Sequence, residues 1–248
     1  MNTKTHKVLA IMQARMSSTR LPGKVLKKVN GMTLLEYELK RLERSKTIDK
    51  IVVATSKNPE DDAIESLCAS MGVDCFRGSL DDVLSRYADC ANKYPEHEII
   101  LRVTGDCPLI DPVLIDQVIK VFLEGEYDYA STVPLGKETF PDGMDAEVFT
   151  KSALLESAAN AKLPYEREHV TPHMRKSGEY RCGGISADKN YSGYRLTVDN
   201  PEDFEVVRYC MEHSALDAGY LDYVAMLDAH PEIRGLSAHY VRNEGEIR

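Results

Sequence analysis

The chain has 248 residues, 43% of them hydrophobic, with 40 acidic against 31 basic side chains and a net charge of -9. That length and apolar content suit one large domain and exclude wholesale disorder. No apolar run approaches the roughly 20 residues that span a bilayer, no secretory apolar segment precedes the first polar residues, and the acid excess opposes sequence-independent binding to nucleic acid, so a cytoplasmic protein with neither a membrane nor a nucleic-acid partner is expected.

The first apolar run, 8–12, predicts a buried strand that ends abruptly at Gln13-Ala14-Arg15. A loop then presents Arg15, Ser17, Ser18, Thr19, Arg20, Gly23 and Lys24, and no Asp or Glu occurs before Glu36. Arg and Lys bring charge, hydroxyls and backbone N–H groups bring donors, and Gly lets the backbone come close, which is what a polyphosphate site requires. Thr33 followed by Glu36 is a capping box, and Leu34, Leu35, Leu39 and Leu42 give the helix after it an apolar face. Residues 51–55 predict a buried strand. Asn58-Pro59 starts a helix that Gly72 ends. A short strand at 73–76 precedes a helix capped by Ser79 and running to about residue 93. A strand at 98–103 precedes the turn Thr104-Gly-Asp-Cys-Pro108. Asp111-Pro112 opens a helix closed by Gly125, and 127–131 reads as a strand. This alternation, with connections long enough for crossovers, predicts a Rossmann-like α/β fold: a mostly parallel sheet with helices on both faces.

The regularity weakens over about 133–184, where Pro and Gly accumulate and helices are expected near 151–161 and 165–176. A strand at 194–198 then leads into Asn200-Pro201, a second helix start of the Asn58-Pro59 kind. One domain over 1–248 is expected, with 133–184 as a lobe. None of the six cysteines forms a CxxC pair, so free thiols are expected rather than a zinc or redox motif. Cys107, with no identifiable His partner, reads as a small side chain and not a nucleophile.

Open α/β sheets bind ligands at the carboxyl ends of their strands. Three polar clusters fall at such ends: the 15–24 loop, the segment Arg102 to Asp106, and the segment Thr197 to Asp203. Asp106 and Asp199 are each the first acid after an apolar strand. Converged, they suit Mg²⁺, which takes one or two carboxylates and completes its shell with substrate phosphates and water. A basic loop facing paired acids is the arrangement of metal-assisted phosphoryl or nucleotidyl transfer. Each acid also has a structural reading, Asp106 as a turn residue before Pro108 and Asp199 as a neighbour of the helix start. His169 and His173 have metal-ligand spacing, but no third ligand is evident and Pro172 disturbs the helix, so no metal is expected there.

The run Gln-Ala-Arg-Met-Ser-Ser-Thr-Arg-Leu-Pro-Gly-Lys-Val-Leu (13–26) resembles the CTP-binding loop of CMP-KDO synthetase (3-deoxy-manno-octulosonate cytidylyltransferase) and the related acylneuraminate synthetases. Thr104 to Leu109 resembles that family's Gly-Asp-x-Pro-Leu segment, and Thr197 to Asp203 its Asp-x-Pro-Glu-Asp segment. The run Arg167 to Pro172 and the tail pieces 232–234 and 242–245 resemble more specifically the subgroup labelled spore coat polysaccharide biosynthesis protein F. The resemblance implies a cytidylyltransferase in which Arg15, Ser18, Arg20 and Lys24 contact the CTP phosphates, and Ala14, Arg77 and Thr104 lie against the rest of the nucleotide. It implies Mg²⁺ on Asp106 and Asp199, catalytic roles for Arg15, Lys24 and Asp106, and a homodimer built through the 133–184 lobe. Arg167 and His169 are expected at the acceptor or the dimer contact, with a structural role equally open. Asp142, Asp145 and Glu147 are expected to line the acceptor pocket, with a Gly-centred turn into a strand as the alternative. The implied reaction couples CTP to a sugar acid of the ulosonic or sialic class, giving a CMP-sugar and pyrophosphate for a surface glycan. A phosphorylated acceptor, or a glycosyltransferase using a nucleotide sugar, is the rival reading. Thr104 and Cys107 stand where the KDO enzymes tend to carry Gln and Glu, so the acceptor's identity does not carry over.

Overall fold

The structure, a computed structural model, describes residues 6–242; the tail residues Asn243, Glu244 and Gly245 lie outside the described residues. Strand β1 (Val8–Gln13) buries its first five side chains almost completely and lies inside the sheet, with a parallel strand on each side. A 3-10 turn (Lys24–Leu26), a hairpin of β2 (Lys28–Val29) and β3 (Met32–Thr33), and helix α1 (Leu34–Leu42) follow. Thr33 Oγ1 accepts from Glu36 N at 3.1 Å, one half of the expected capping box, while the Glu36 carboxylate pairs with Lys40 at 3.0 Å. Next come β4 (Lys50–Ser56), α2 (Asp62–Met71), β5 (Asp74–Gly78), α3 (Val83–Asn92), β6 (Ile99–Thr104), α4 (Pro112–Glu124) and β7 (Tyr129–Ser131). The remainder holds β8 (Glu147–Thr150), α5 (Lys151–Asn160), α6 (Pro164–His169), α7 (Pro172–Lys176), β9 (Cys182–Gly184), α8 (Pro201–His213), α9 (Tyr220–Ala229) and α10 (Pro231–Arg234).

The main sheet has the order β5-β4-β1-β6-β8-β7-β9. β5, β4, β1 and β6 are mutually parallel, β8 is antiparallel to both its neighbours, and β9 pairs parallel with β7. Strand side chains alternate between faces. Val8, Ala10 and Met12 therefore pack with apolar residues of α1, α2 and α4, while Leu9 and Ile11 pack with those of α3 and α5. A third cluster joins α8 and α9 to Leu109, Phe140, Leu196 and Val198 and anchors the C-terminal third against the parallel half.

Four local expectations change. Helix α3 is capped by Asp82, whose carboxylate accepts from Ser85 N at 3.0 Å; Ser79 Oγ instead accepts from Asp82 N and closes the turn before it. The helix that Asn58 introduces begins as a 3-10 turn, Pro59–Asp61, without a bond from the Asn58 side chain. The helix expected over 165–176 is two helices: the chain leaves the helical region at Val170, which adopts φ 71°, and Pro172, which has no N–H to extend the ladder, opens the second. Residues 194–198 form no strand: one isolated parallel bridge between Asp142 and Arg195 is made by Asp142 N to Tyr194 O at 2.9 Å and Leu196 N to Asp142 O at 2.7 Å, and Val198 N donates separately to Asp106 O at 2.8 Å. Among the described residues no helix is long and apolar enough to cross a membrane, and the six cysteines are free thiols.

Candidate active site

The parallel strands β1 and β6 end side by side, and the site is built on their carboxyl ends. Gly105 makes the close approach possible: its N donates to Gln13 O at 2.8 Å, and a Cβ there would stand 3.1 Å from the same oxygen. The basic loop leaves β1 under the control of Asp61, a fully buried carboxylate that accepts from Met16 N at 2.7 Å and from Ser56 N at 3.1 Å. The loop closes on itself through Gly23 N to Met16 O at 2.9 Å, with Gly23 in the left-handed region at φ 66°. Ser18 Oγ accepts from Leu21 N, so this hydroxyl shapes the loop as well as facing the cavity.

The turn at Gly23 aims Lys24 inward. Its Nζ donates to Asp106 Oδ2 and to Asp199 Oδ1, both at 2.9 Å, and Arg20 Nη2 lies 2.9 Å from the same Asp199 oxygen. The two acids, 93 residues apart in the chain, thus converge as their positions after apolar segments suggested. Val198 N and Thr197 Oγ1 both donate to Asp106 O, which fastens the two carboxylate-bearing turns together. Burial pushes the Asp106 carboxyl up, but the Lys24 charge and hydrogen bonds from Thr104 and Lys24 outweigh it and hold it at about 2. Burial pulls the Lys24 ammonium down, and the two carboxylates more than restore it, leaving it above the ordinary lysine value. Burial pushes the Cys107 thiol well up, and Asp106 adds to the shift, which disfavours a thiolate.

Two cavities of about 320 and 350 Å³ open here, each within the range of small-molecule sites. Arg15, Arg20, Asp106 and Asp199 line both, so the cavities meet at the carboxylate pair. The first runs from Ala14, Ser18 and Lys24 to Leu80, Val83 and Arg86. The second extends over Arg102, Asp142, Asp145, Glu147, Arg175 and Arg242. Thr104 and His169 border both. The break at Val170 turns His169 and Thr171 toward the second cavity, and Thr171 Oγ1 donates to Glu147 at 2.6 Å.

The structure does not bring two of the expected residues into either cavity. Arg77 points back along α2, donating to Ser56 O, Asn58 O, Asp62 and Glu65. Arg167 clamps the start of α3 through Asp82 at 2.7 Å and Ser85 Oγ at 2.6 Å. Asp142, Asp145 and Glu147 do line the second cavity, and each has a guanidinium partner. Glu147 pairs with Arg102 and accepts from Tyr129 Oη; burial would raise it, but the Arg102 and Arg175 charges hold it below the usual range. Asp142 accepts from Arg195 at 2.6 Å, and Asp145 pairs with Arg242 at 2.5 Å. Burial, then repulsion from Asp145, pushes Asp142 up to about 7 despite both arginines. Arg195 also binds Asp199 at 3.1 Å and the buried Asp203 at 2.7 Å, so one side chain ties the carboxylate pair to the second cavity. The sequence places Arg102 in a polar cluster without assigning it a role, and Arg195 has no role there either, although each is a charge inside an apolar stretch, Ile-Ile-Leu-Arg-Val and Tyr-Arg-Leu-Thr-Val.

A phosphate-seeking loop and a carboxylate pair, at the carboxyl ends of parallel strands and between two cavities, define a nucleotidyltransferase. Residues 9–224 match the family model described as cytidylyltransferase, and the chain belongs to that family. It is 33% identical to the spore coat polysaccharide biosynthesis protein SpsF of Bacillus subtilis, over 91% of this chain and 95% of the relative. It is 34% identical to a 3-deoxy-manno-octulosonate cytidylyltransferase of Leptospira interrogans, over 86% and 85%. A solved cytidylyltransferase structure from Leptospira borgpetersenii superposes with a TM-score of 0.87 at 36% identity, covering 92% of this chain and 97% of that one.

Proposed function

We propose that the protein couples CTP to a sugar acid of the ulosonic or sialic class in a Mg²⁺-dependent reaction, releasing pyrophosphate and a CMP-sugar for surface-glycan assembly. The observation that carries this reading is the meeting of two cavities at Asp106 and Asp199 beneath the basic loop. In it, CTP occupies the first cavity with its phosphates against Arg15, Ser18, Arg20 and Lys24, and its remainder against Ala14 and Thr104. The acceptor occupies the second, among Asp142, Asp145, Glu147 and His169. An acceptor hydroxyl attacks the α-phosphorus: the new O–P bond forms, the bond from that phosphorus to the bridging oxygen breaks, pyrophosphate leaves with the electron pair, and the hydroxyl proton passes to water. Arg15 and Lys24 stabilise charge that builds on the phosphate oxygens.

The donor set fits a hard divalent cation. Asp106 and Asp199 already face one shared cation, the Lys24 ammonium, and among the described residues no third His, Cys, Asp or Glu joins them. Mg²⁺ commonly takes this few protein ligands when phosphates complete its shell. When bound, it would neutralise phosphate charge during transfer. The related SpsF and the 3-deoxy-manno-octulosonate enzyme support the glycan pathway and the sugar-acid class of acceptor. The single domain with a 133–184 lobe and a homodimer through that lobe belong to the same proposal; half-exposed Leu163 and the exposed Tyr165 on the lobe support the dimer, which light scattering tests.

The experiment is pyrophosphate release with CTP, UTP, GTP and ATP against a panel of ulosonic acids, with Mg²⁺ or EDTA, on wild type and Asp106→Asn. Release that needs CTP, a sugar acid, Mg²⁺ and Asp106 is expected. Release only with a phosphorylated acceptor would move the substrate class, and turnover of a nucleotide sugar without pyrophosphate would replace the reading.

A further inference from the structure

One buried cation in the first cavity has no ion-pair partner. Arg86, on α3, is 3% exposed and lines the cavity from an element other than the basic loop. Its guanidinium makes one hydrogen bond, Nη1 to Ser79 O at 2.8 Å, and its Nε has no partner. Among the described residues no carboxylate pairs with it: burial holds it below the ordinary arginine range, the Arg15 and Arg102 charges add to that, and Tyr87 and the more distant Asp61 carboxylate only partly oppose it. The fold makes room for this side chain: a Cβ at Gly78 would stand 2.6 Å from Arg86 Cγ.

An unpaired buried charge works against folding, and a guanidinium cannot escape the cost by losing its proton. Its planar fork of donors matches phosphate oxygens. A neutral base carbonyl would fill a hydrogen bond without cancelling the charge, whereas a polyphosphate does both. We propose that Arg86 binds the polyphosphate of the nucleotide from α3, together with the loop that carries Arg15 and Lys24. The inference rests on the reading of the first cavity as the nucleotide site and adds to it a residue from a different element. The bound nucleotide then supplies the paired anion that no side chain of the described residues places against Arg86.

The test is calorimetric binding of CTP, inorganic tripolyphosphate and cytidine, each with Mg²⁺, to wild type, Arg86→Met, Arg86→Lys and Gly78→Ala, with the ligand-free Tm of each. In Arg86→Met, CTP and tripolyphosphate are expected to bind at least about tenfold more weakly, as for a lost charge-assisted contact, with cytidine unchanged. Its ligand-free Tm should equal or exceed that of wild type, because a buried unpaired charge has gone; a purely structural arginine would lower it. Arg86→Lys should recover part of the tripolyphosphate affinity. If Arg86→Met does not fold, Gly78→Ala, which displaces the guanidinium by crowding its stem, reads the same affinities. Unchanged tripolyphosphate affinity in a folded variant, or equal losses for cytidine and CTP, would overturn the proposal. Wild type that binds tripolyphosphate through Arg86 but prefers another nucleotide to CTP would remove the cytidine reading and leave this one standing.

Discussion

Lys24 is the residue on which the site turns. It is 8% exposed, and it neutralises two carboxylates that would otherwise repel one another. Lys24→Met should lower kcat/KM by roughly 10²–10³, the size of effect seen when a charge-stabilising donor is removed, as measured by pyrophosphate release. It should also cost about 2 kcal/mol in urea unfolding. A fully buried pair would lose about 3–5 kcal/mol on truncation, but the two carboxylates keep 29% and 22% of their side-chain surface. The pH dependence has two signs. Asp106 is held below its ordinary value, so its contribution to stability is present above about 4 and fades as the pH falls toward 2. Asp142 is held up at about 7, so between about 4 and 7 the native chain keeps a proton that the unfolded chain releases, and this group subtracts stability as the pH rises. Asp142→Asn should remove that slope from a plot of Tm against pH over 4–8. The loop cations were legible in the sequence as a basic, hydroxyl-rich loop with no acid before Glu36, and the paired acids because each is the first acid after an apolar run. Arg195 and Arg242 were not, because what they do depends on Asp142 and Asp145, 53 and 97 residues away in the chain. Arg86 was visible only as a charge on the inward face of α3 beside Val83 and Tyr87.

Among the elements, α3 shows how far a local rule reaches. A capping residue before an apolar helical face was predictable, but both Ser79 and Asp82 satisfy it, and only the packed chain decides. Asp82 wins because its carboxylate serves the helix N-terminus and Arg167 of α6 together, which also explains why Arg167 lies away from the cavities. Asp82→Ala should cost about 1 kcal/mol by urea denaturation, the usual value of a cap. A double-mutant cycle with Arg167→Ala should show coupling of about 1 kcal/mol or less, since Asp82 is about one-third exposed. The parallel strands were legible as unbroken apolar runs. β8 and β9 were less so, because short strands of four and three residues in a region rich in Gly and Pro carry little periodicity. The positive φ of Val170, a β-branched residue that rarely adopts it, is backbone strain beside a candidate site. It redirects the chain so that His169 and Thr171 reach the second cavity.

For the whole molecule, the sheet is the shared wall of two cores. Val8, Ala10 and Met12 belong to one and Leu9 and Ile11 to the other, so neither layer can leave without exposing β1. Urea unfolding followed by near- and far-ultraviolet circular dichroism should therefore give one coincident transition; two separated midpoints would mean that the 133–184 lobe unfolds independently. Lys24 also bears on how this molecule fares in a cell where magnesium fluctuates. A carboxylate pair already bridged by an ammonium has no need of an ion at rest, so EDTA should leave the melting temperature where it was while stopping turnover. In the proposed reaction the metal would then arrive with the nucleotide, and the demand for it would follow the supply of nucleotide rather than the amount of enzyme present.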